Sequence, residues 1–241
     1  MDSVYIVIPA YNEEENIEAV AREWHGVVER VGRDSRLVII DDGGKDSTYE
    51  KLQSISETLP QLEAVTKKNS GHGGTVLFGY KYALEHGADY VFQTDSDGQT
   101  VAEEFWQMWE KRAEYDCQVG YRKGRQDGLI RVLVTKTLKI VLFFSFGLWI
   151  KDANTPFRLM SAASLGEQVK RIPVDYNLSN VLLTVLYEKQ KARMRYVPIT
   201  FRPRQGGVNS INLRKIFKIG QKAVKDFAGL RKSISFDDEC G

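Results

Sequence analysis

The chain is poor in the residues that build disulfide frameworks and zinc centres. Its 241 residues include two cysteines, Cys117 and Cys240, and three histidines, His25, His72 and His86. Two cysteines this far apart make no disulfide framework and favour a reducing compartment. The histidines are scattered and show no spacing typical of zinc ligands. We therefore expect a cytosolic protein without a structural disulfide or a zinc site.

Long hydrophobic runs are also lacking. The longest uncharged apolar run, Ile140–Ile150, is too short to cross a hydrocarbon core of roughly 30 Å. A strand-like run begins almost at the first residue, which argues against a signal peptide. The run at 140–150 has two interpretations, a buried core helix or a helix that faces a membrane.

Charge of one sign is not in large excess either. The formal net charge is +2, and we expect no nucleic-acid partner. This near-neutral total hides a basic C-terminal third, so the charge of the whole chain says little about its partners.

The composition and pattern that are present predict one α/β domain. Hydrophobic residues make up 42% of the chain and charged residues 27%, as in ordinary globular proteins. Apolar, β-branched runs alternate with helical patterns through the first half, which indicates parallel βαβ units. The predicted strands are Val4–Ile8, Leu37–Ile40, Leu62–Val65, Tyr90–Gln93, a run closing at Gly120, and Met194–Phe201; the predicted helices cover 13–31, 46–59, 71–85, 101–115 and 129–150. We assign residues 1–210 to this domain and 211–241 to a basic amphipathic helical appendage and tail.

Polar residues follow three of the predicted strands at the point where each strand ends. These segments are Pro9-Ala10-Tyr11-Asn12-Glu13, Asp41-Asp42 and Asp95-Ser96-Asp97. In open α/β sheets, ligands bind at the carboxyl ends of the strands. The sequence therefore predicts one ligand site at this edge, and the convergence of three segments is stronger evidence than any one of them.

The turn after the fourth strand carries two carboxylates, Asp95 and Asp97. Mg²⁺ and Mn²⁺ prefer oxygen ligands and also bridge diphosphate oxygens. A cation held here would neutralise the charge that builds on a leaving nucleoside diphosphate. The alternative is a polar turn that caps the next helix, but the position after a buried strand favours a metal site.

The other segments have ordinary structural alternatives. Asp41 and Asp42 could accept hydrogen bonds from a nucleobase or a ribose, or they could form a solvated turn. Tyr11 and Glu13 could contact a base, or their segment could be a simple strand-to-helix turn. The glycine-rich segment 68–74 could bind phosphate at a helix N-terminus, or it could be a tight turn that permits close backbone packing.

Two basic clusters suit phosphate recognition by guanidinium groups. One cluster contains Arg122, Lys123, Arg125 and Arg131, and the other contains Arg202 and Arg204. A solvated positive surface is the alternative for both clusters.

In their order and spacing, these segments resemble family 2 glycosyltransferases of the GT-A fold, and within that family the dolichol-phosphate mannose synthase group. The resemblance covers nearly the whole chain, from Val4 to about Lys222. It is carried by six motifs: 9–13 (PAYNE), 39–43 with 46–48 (IIDDG and DST), the glycine-rich 71–79, 95–99 (DSDGQ), 152–158 (DANTPFR) and the arginine–glycine loop 204–210. The resemblance implies a Rossmann-like, mixed, mainly parallel sheet flanked by helices, with a C-terminal amphipathic helix.

The resemblance also implies roles for individual residues. Asp95, Asp97, Asp152 and Arg158 are the candidate catalytic residues, and Gln99 joins the first two as a metal contact. Arg158 would support the acceptor phosphate or the loop that carries it. The implied nucleotide-sugar site consists of Pro9, Tyr11, Glu13, Ile39, Asp41, Asp42, Asp95, Ser96, Asp97, Arg122 and Arg204.

Members of the resembled group transfer a sugar to a polyprenyl phosphate, which implies work at a bilayer surface. The segment after Asn212 has apolar and basic residues at helical spacing, which is typical of interfacial helices on anionic lipid. The segment 131–150 combines basic residues with four aromatic ones, Phe143, Phe144, Phe146 and Trp149. The alternative for segment 131–150 is a helix that docks against the sheet and leaves its basic face in solvent.

The predicted function is an inverting, metal-dependent transfer of a sugar from a nucleotide-sugar to a dolichyl- or undecaprenyl-type phosphate. We expect Mg²⁺ or Mn²⁺ as cofactor and a cytoplasmic protein that binds the surface of an anionic membrane peripherally, in cell-envelope glycan biosynthesis. A lipid phosphate is already ionised, whereas a sugar hydroxyl would require a general base, for which Asp152 is the first candidate.

Two alternatives stay open. One is a transferase that extends a surface polysaccharide or a lipid-linked glycan. The other is an inactive nucleotide-sugar-binding or scaffolding relative. The sequence also leaves open the nucleotide (UDP or GDP), the sugar, and whether the chain has a membrane-protein partner or forms a homo-oligomer.

Overall fold

The computed structural model describes residues 2–122, 129–174, 176–202 and 227, with the backbone alone for residues 129–135. The chain divides into two compact units. The larger unit comprises residues 1–123 and 152–207, and the smaller one comprises residues 124–151 and 208–241.

The larger unit is built on a seven-stranded sheet. Its strands are β1 (Val4–Ala10), β2 (Arg36–Asp41), β3 (Leu62–Thr66), β4 (Tyr90–Gln93), β5 (Cys117–Arg122), β6 (Arg158–Ser161) and β7 (Met194–Ile199). Its helices are α1 (Ile17–Val31), α2 (Thr48–Ser56), α3 (Gly71–Glu85), α4 (Trp106–Trp109), α6 (Ala162–Val169) and α7 (Ser179–Lys189); α5 (Leu129–Phe146) belongs to the smaller unit. The strand order is β3-β2-β1-β4-β6-β5-β7, and β6 is antiparallel to both of its neighbours. The predicted mixed, mainly parallel sheet is confirmed.

Helices pack on both faces of this sheet, because the strands are apolar on both faces. On one face Trp24 of α1 lies 5.3 Å from Phe92 and 6.2 Å from Phe157, measured between ring centroids. Burying a side chain such as Phe contributes roughly 1.5–3 kcal/mol to folding. On the other face α3 approaches β1 so closely that a Cβ on Gly79 would lie 2.2 Å from a methyl carbon of Val7.

Three strands place the site. β1 pairs with β2 on one side and with β4 on the other, both in parallel. Ala10 is opposite Asp41 in this register, so the ends of β1 and β2 lie side by side. From β1 the chain continues to β2 on one side of β1, whereas β4 lies on the other side of β1. This arrangement leaves a crevice at the carboxyl ends of β1 and β4. Such switch points are where open α/β sheets bind ligands.

The prediction of one continuous helix over 101–115 was wrong. The segment forms a 3₁₀ turn (Ala102–Phe105), the short α4, and a second 3₁₀ turn (Arg112–Glu114). Phe105 packs edge-on against Phe92 of the sheet and stacks on Trp109. The Arg112 guanidinium donates to the Trp109 carbonyl at 3.0 Å, which satisfies a group that a continuing helix would have used. Aromatic packing and this side-chain cap therefore replace a regular helix.

Two other helix boundaries differ from the prediction by four residues each. The first helix begins at Ile17 rather than near Glu13, because the preceding residues form the turn described below. The fifth ends at Phe146 rather than at Ile150. Gly147 has a φ of 71° and its N–H donates to the Phe143 carbonyl at 2.8 Å, which is a glycine C-terminal stop.

The smaller unit is described over α5, residues 147–151 and Phe227. Phe146 packs on Phe227 with ring centroids 5.3 Å apart. None of the helices in the described part of the chain combines the length and apolar character that a membrane span needs. The predicted appendage 211–241 lies outside the described residues, Phe227 aside, and the predicted boundary at 210 stays a prediction.

Candidate functional site

A cavity of about 490 Å³ opens at the carboxyl ends of β1 and β4. This volume is within the range of about 300–1,000 Å³ that is usual for small-molecule sites. Seven of the predicted site residues line it: Pro9, Tyr11, Glu13, Asp42, Asp95, Ser96 and Asp97. The other lining residues in the described part of the chain are Ala10, Asn69, Gly71, His72 and Thr75. The structure therefore brings the three predicted strand-end segments together.

The segment after β1 is held by hydrogen bonds to the start of α2. Asn12 has a left-handed backbone with a φ of 54°, and its Oδ1 accepts the N–H of Lys45 at 2.8 Å. Asparagine tolerates this conformation better than most residues do. The N–H of Glu13 donates to Thr48 Oγ1 at 2.9 Å. The result is a fixed turn that places Tyr11, whose side chain is 46% exposed, in the cavity lining.

Asp46 strengthens this connection. Its carboxylate accepts the N–H of Glu14 at 3.0 Å and the Thr48 hydroxyl at 2.7 Å. Burial alone would raise the pKa of Asp46, but these hydrogen bonds outweigh burial and hold its pKa below the ordinary value. Asp46 and Thr48 thus shape the opening segment without lining the cavity themselves.

Asp41 ends β2 as a buried carboxylate with two protein partners. One oxygen accepts the N–H of Gly44 at 3.1 Å, and the other accepts the hydroxyl of Thr66 at 2.9 Å. Asp41 does not belong to the cavity lining. Its predicted contact with the nucleotide stays a prediction.

Asp42 anchors the start of α3. Its carboxylate accepts the N–H groups of Ser70 and Gly71, each at 2.9 Å, and forms an ion pair with Lys67. Burial alone would raise the pKa of Asp42, but the hydrogen bonds from Lys67 and Ser70 outweigh it and lower the pKa. Two of the unpaired N–H groups at the N-terminus of α3 are therefore satisfied by the carboxylate of Asp42, which directly follows β2.

The glycine-rich segment owes its glycines to close packing. A Cβ on Gly73 would lie 2.4 Å from the carbonyl oxygens of Tyr176 and Asn177. Together with the close approach of Gly79 to β1, this contact supports the packing interpretation of the segment. The Asp42 carboxylate accepts two of the N–H groups at this helix N-terminus, those of Ser70 and Gly71.

The acidic turn after β4 is ordered by its own residues and by one distant segment. Thr94 and Thr100 share a hydrogen bond between their hydroxyls at 2.7 Å. Gly98 has a φ of 66°, which favours glycine, and the N–H of Gln99 donates to Asp97 Oδ1 at 3.1 Å. Ser96 is buried. The turn therefore holds both carboxylates, Asp95 and Asp97, in the cavity lining.

Gln99 points its amide at the chain segment that follows β7. The side-chain Nε2 of Gln99 donates to the Arg202 carbonyl at 3.1 Å, and the backbone carbonyl of Gln99 accepts the Arg202 N–H at 2.7 Å. Gln99 is not in the cavity lining, so a direct contact with a metal stays a prediction.

The segment 68–74 was named from the sequence, but His72 within it was not singled out as a site residue. Its Nε2 lies 2.9 Å from Asp95 Oδ1. Partial burial alone would lower the pKa of His72, but the neighbouring Asp95, with Asp42 and Asp97, raises it. One signal was available, because His72 lies in the glycine-rich segment after β3, a strand that ends at the same edge of the sheet.

Besides Asp41 and Gln99, four further predicted site residues lie away from the cavity lining. Ile39 is fully buried in the core, and Asp152 is buried at the start of the 152–158 loop. The Arg122 guanidinium lies 3.8 Å from the Phe201 ring centroid. Arg158 is fully buried, as described next. The remaining one, Arg204, lies outside the described residues.

The buried Arg158 side chain holds the loop 152–157 through hydrogen bonds to backbone carbonyls. Its guanidinium donates to the carbonyls of Thr155 at 2.6 Å and of Asn180 at 3.1 Å. Thr184 donates to the Ala153 carbonyl in the same region at 3.1 Å. This geometry supports the second of its two predicted roles, and contact with an acceptor phosphate stays a prediction.

The family model that describes glycosyl transferase family 2 matches residues 5–166. This range includes the segments after β1, β2 and β4 and the loop before β6. The chain belongs to glycosyl transferase family 2.

Curated relatives match about two thirds of the chain. An undecaprenyl-phosphate 4-deoxy-4-formamido-L-arabinose transferase of Pectobacterium carotovorum is 30% identical over 159 residues, which are 65% of this chain and 48% of the relative. A protein of the same name from Pseudomonas paraeruginosa is 28% identical over 161 residues, 66% of this chain and 47% of the relative. The chain spans about half the length of the curated relatives it matches.

Solved structures show the same fold. Glucosyl-3-phosphoglycerate synthase from Mycobacterium tuberculosis, in complex with Mn²⁺ and UDP-glucose, matches with a TM-score of 0.67 and 16% identity over 96% of this chain and 79% of that one. The same enzyme with phosphoglyceric acid also bound matches with a TM-score of 0.69 and 15% identity, over 96% and 80% of the two chains. This similarity shows the GT-A-like fold of the family 2 domain.

The acidic turn of this family 2 domain fits a divalent cation. The described residues contain no cluster of three or more His, Cys, Asp or Glu side chains placed to hold a metal by themselves. Mg²⁺ and similar cations do not require such a cluster, because one or two carboxylates suffice when substrate phosphates and water supply the other ligands. The two carboxylates in the cavity lining match that kind of site.

Proposed function

We propose that the chain transfers a sugar from a nucleotide-sugar to a polyprenyl phosphate at a membrane surface, with inversion at the anomeric carbon. The observation that carries this proposal is the cavity at the β1–β4 crevice, with Asp95 and Asp97 beside Tyr11 and Glu13. The acceptor class is supported by the names of the curated relatives, which are undecaprenyl-phosphate sugar transferases.

The donor occupies the cavity in this proposal. The nucleoside packs on Tyr11, and Glu13 hydrogen-bonds to it, because these two side chains line the side formed by β1. Asp95 and Asp97 face the diphosphate and hold Mg²⁺ or Mn²⁺. When bound, the cation supplies positive charge that stabilises the departing nucleoside diphosphate. Arg122 and Arg204 contact phosphates of the donor or of the acceptor.

The reaction is a single displacement. An oxygen of the lipid phosphate forms a bond to the anomeric carbon, and the bond from that carbon to the diphosphate oxygen breaks. The electron pair leaves with the nucleoside diphosphate. A phosphate monoester carries negative charge at neutral pH, so the attacking oxygen needs no protein base. The chain therefore has to orient the two substrates, and the fixed turns after β1 and β4 do this.

The smaller unit supplies the membrane contact. Among the described residues of this unit, four are large, apolar and exposed: Ile140, Phe143, Phe144 and Trp149. Lys136, Lys139 and Lys151 accompany them, and residues 129–151 contain no Asp or Glu. An apolar surface flanked by cations suits the interface of an anionic bilayer. We propose peripheral association with the cytoplasmic membrane surface through this patch, which we call the aromatic–lysine patch (136, 139, 140, 143, 144, 149 and 151).

The donor half of this proposal is tested by measuring nucleoside diphosphate release from a panel of UDP- and GDP-sugars in the presence of undecaprenyl phosphate. We expect chelation of divalent cations to stop the release. We expect Asp97→Ala to reduce it about a hundredfold, since the lost charge stabilisation acts mainly on the transition state. Asp34→Ala, which removes an exposed carboxylate outside the cavity lining, is the matched control. Undiminished release after chelation, or in Asp97→Ala, would rule out the cation.

A further inference from the structure

His72 and Asp95 form a contact that the proposed donor chemistry does not use. The distance from His72 Nε2 to Asp95 Oδ1 is 2.9 Å. A carboxylate only accepts hydrogen bonds, so the imidazole N–H is the donor in this pair. Both residues line the cavity, and they come from different elements, α3 and the turn after β4.

The two carboxylates of the acidic turn are held in different ways. Asp97 accepts the N–H of Gln99, two residues further along the same turn. For Asp95, the hydrogen bond found in the described part of the chain comes from His72. The orientation of Asp95 therefore depends on a side chain from another part of the fold.

The backbone on both sides of His72 is held by hydrogen bonds. The preceding residue, Gly71, donates its N–H to Asp42 at 2.9 Å. The following residue, Gly73, accepts the Ser179 hydroxyl at 3.0 Å and is in close contact with the backbone at Tyr176. A ligand-orienting side chain needs this kind of support, because a loosely held partner would not fix the carboxylate.

We propose that His72 is a positioning residue that orients the Asp95 carboxylate for the divalent cation. This inference rests on the proposed cation site of the acidic turn. Donation from the imidazole occupies one lone pair of Oδ1 and leaves Oδ2, with the other lone pair of Oδ1, for the metal. Partners that hold metal-binding carboxylates and imidazoles in this way usually change metal affinity by about 10–100-fold when they are removed.

A role in folding alone is a poor explanation for this pair. The side chains of His72 and Asp95 keep 52% and 30% of their accessible surface. Ion pairs and hydrogen bonds with this much exposure contribute little to stability. Removal of the imidazole should therefore leave the fold intact and change the cation site.

The experiment is a titration of the full chain with Mn²⁺ at constant pH, followed by the electron paramagnetic resonance signal of the free ion. We expect His72→Ala to bind Mn²⁺ about tenfold more weakly than the unaltered chain does. His72→Gln should recover part of the affinity, because its amide can still donate to Asp95. The thermal midpoints of both variants should match that of the unaltered chain.

His86→Ala is the matched control. His86 lies at the other end of the same helix, where its ring stacks on Tyr82 at a centroid distance of 4.0 Å and Nδ1 lies 2.8 Å from the Tyr82 carbonyl. This variant also removes an imidazole from the α3 region, but it should bind Mn²⁺ like the unaltered chain. Equal loss of affinity in His72→Ala and His86→Ala would overturn the inference.

The variant Asp97→Ala distinguishes failure of the cation site from failure of the positioning role. If it binds Mn²⁺ more weakly while His72→Ala binds like the unaltered chain, the positioning role is overturned and the cation site stands. If the unaltered chain and Asp97→Ala bind Mn²⁺ equally, or neither binds it, the cation site fails and this inference fails with it. Weaker binding in both variants, with partial recovery in His72→Gln, supports both.

Discussion

Asp41 and Asp42 are neighbours in sequence with different surroundings. Asp41 is held by Gly44 and Thr66 at the end of β2, whereas Asp42 forms an ion pair with Lys67 and caps α3. Adjacent residues at a strand end point in different directions, and here one carboxylate belongs to the sheet edge and the other to the helix. The position of the pair at the carboxyl edge of the sheet was predictable, but the partner of each carboxylate was not.

The cap gives a stability prediction for Asp42→Asn. The amide loses the negative charge and cannot accept from Ser70 and Gly71 with both of its heavy atoms. We expect the free energy of unfolding to fall by about 3 kcal/mol, since hydrogen bonds to charged groups contribute about 1.5–3 kcal/mol each. Urea denaturation near neutral pH measures this loss. Asp34→Asn is the control, because its carboxylate is largely exposed.

The ionisation of Asp42 also gives a pH prediction. The pKa of Asp42 is lower in the folded chain than its ordinary value, so its stabilisation is fully present above the ordinary pKa of about 4 and is lost as the pH falls through the lowered folded value. The difference in unfolding free energy between the unaltered chain and Asp42→Asn should therefore shrink below about pH 4. A difference that stays constant through this acid range would contradict the assignment of Asp42 as an ionised cap.

Arg158 shows what sequence alone could not give at this scale. Its motif indicated a functional arginine, but its partners are backbone carbonyls at Thr155 and Asn180, which only the folded chain brings together. Burial of an arginine depends on such tertiary contacts, because an unsatisfied guanidinium in the core would be strongly unfavourable. His72 was missed for a similar reason, since its contact with Asp95 joins two strand ends.

At the level of elements, α3 is the helix that shapes the cavity, and its glycines explain how. Gly79 allows the helix to lie against Val7 and Ile40 of the sheet, and Gly73 allows it to lie against Tyr176. The close approach brings the first turn of α3, with His72, beside the acidic turn.

Gly79→Ala should therefore be destabilising although alanine favours helices. The new methyl would overlap Val7, and overpacking of this kind costs about 1–3 kcal/mol. Gly26→Ala in α1 is the matched control, because a Cβ at that position would have no neighbour within 4 Å and the helix should gain about 0.5–1 kcal/mol. Thermal or urea denaturation of the two variants should show opposite signs, and a gain for both would contradict the packing argument.

The order of strands and helices was largely predictable, and the exceptions have physical reasons. Strands such as β1 are apolar on both faces, so their pattern identifies them without tertiary information. The segment 101–115 has enough apolar residues for a helix, but contacts of Phe105 and Trp109 with the core decide its conformation. The direction of β6 could not be predicted from its pattern, because a four-residue run does not indicate whether a strand is parallel or antiparallel.

At the scale of the whole molecule, the chain combines a family 2 sheet domain with a smaller unit that carries the aromatic–lysine patch. Phe144 and Trp149 are 77% and 70% exposed, which is unusual for large apolar side chains next to several lysines. The proposed reaction needs a membrane contact, since its acceptor is a lipid.

The patch predicts binding to vesicles. Changing Phe144 and Trp149 together to serine should weaken sedimentation with phosphatidylglycerol-containing vesicles at least tenfold, because each side chain contributes roughly 1.5–3 kcal/mol when it leaves water. Phe78→Ser is the control, since Phe78 is an exposed aromatic residue of the larger unit. Binding should also weaken as salt is raised. Equal vesicle binding by the double variant and the unaltered chain would contradict the role of the patch.

The most direct test of the proposed function is transfer of labelled sugar from the donor panel to undecaprenyl phosphate in vesicles, with undecaprenol as the acceptor that lacks the phosphate. We expect labelled lipid from undecaprenyl phosphate, none from undecaprenol, and none with Asp97→Ala. Transfer to a glycan hydroxyl but not to the lipid phosphate, or donor binding without transfer to any acceptor, would contradict the proposed function.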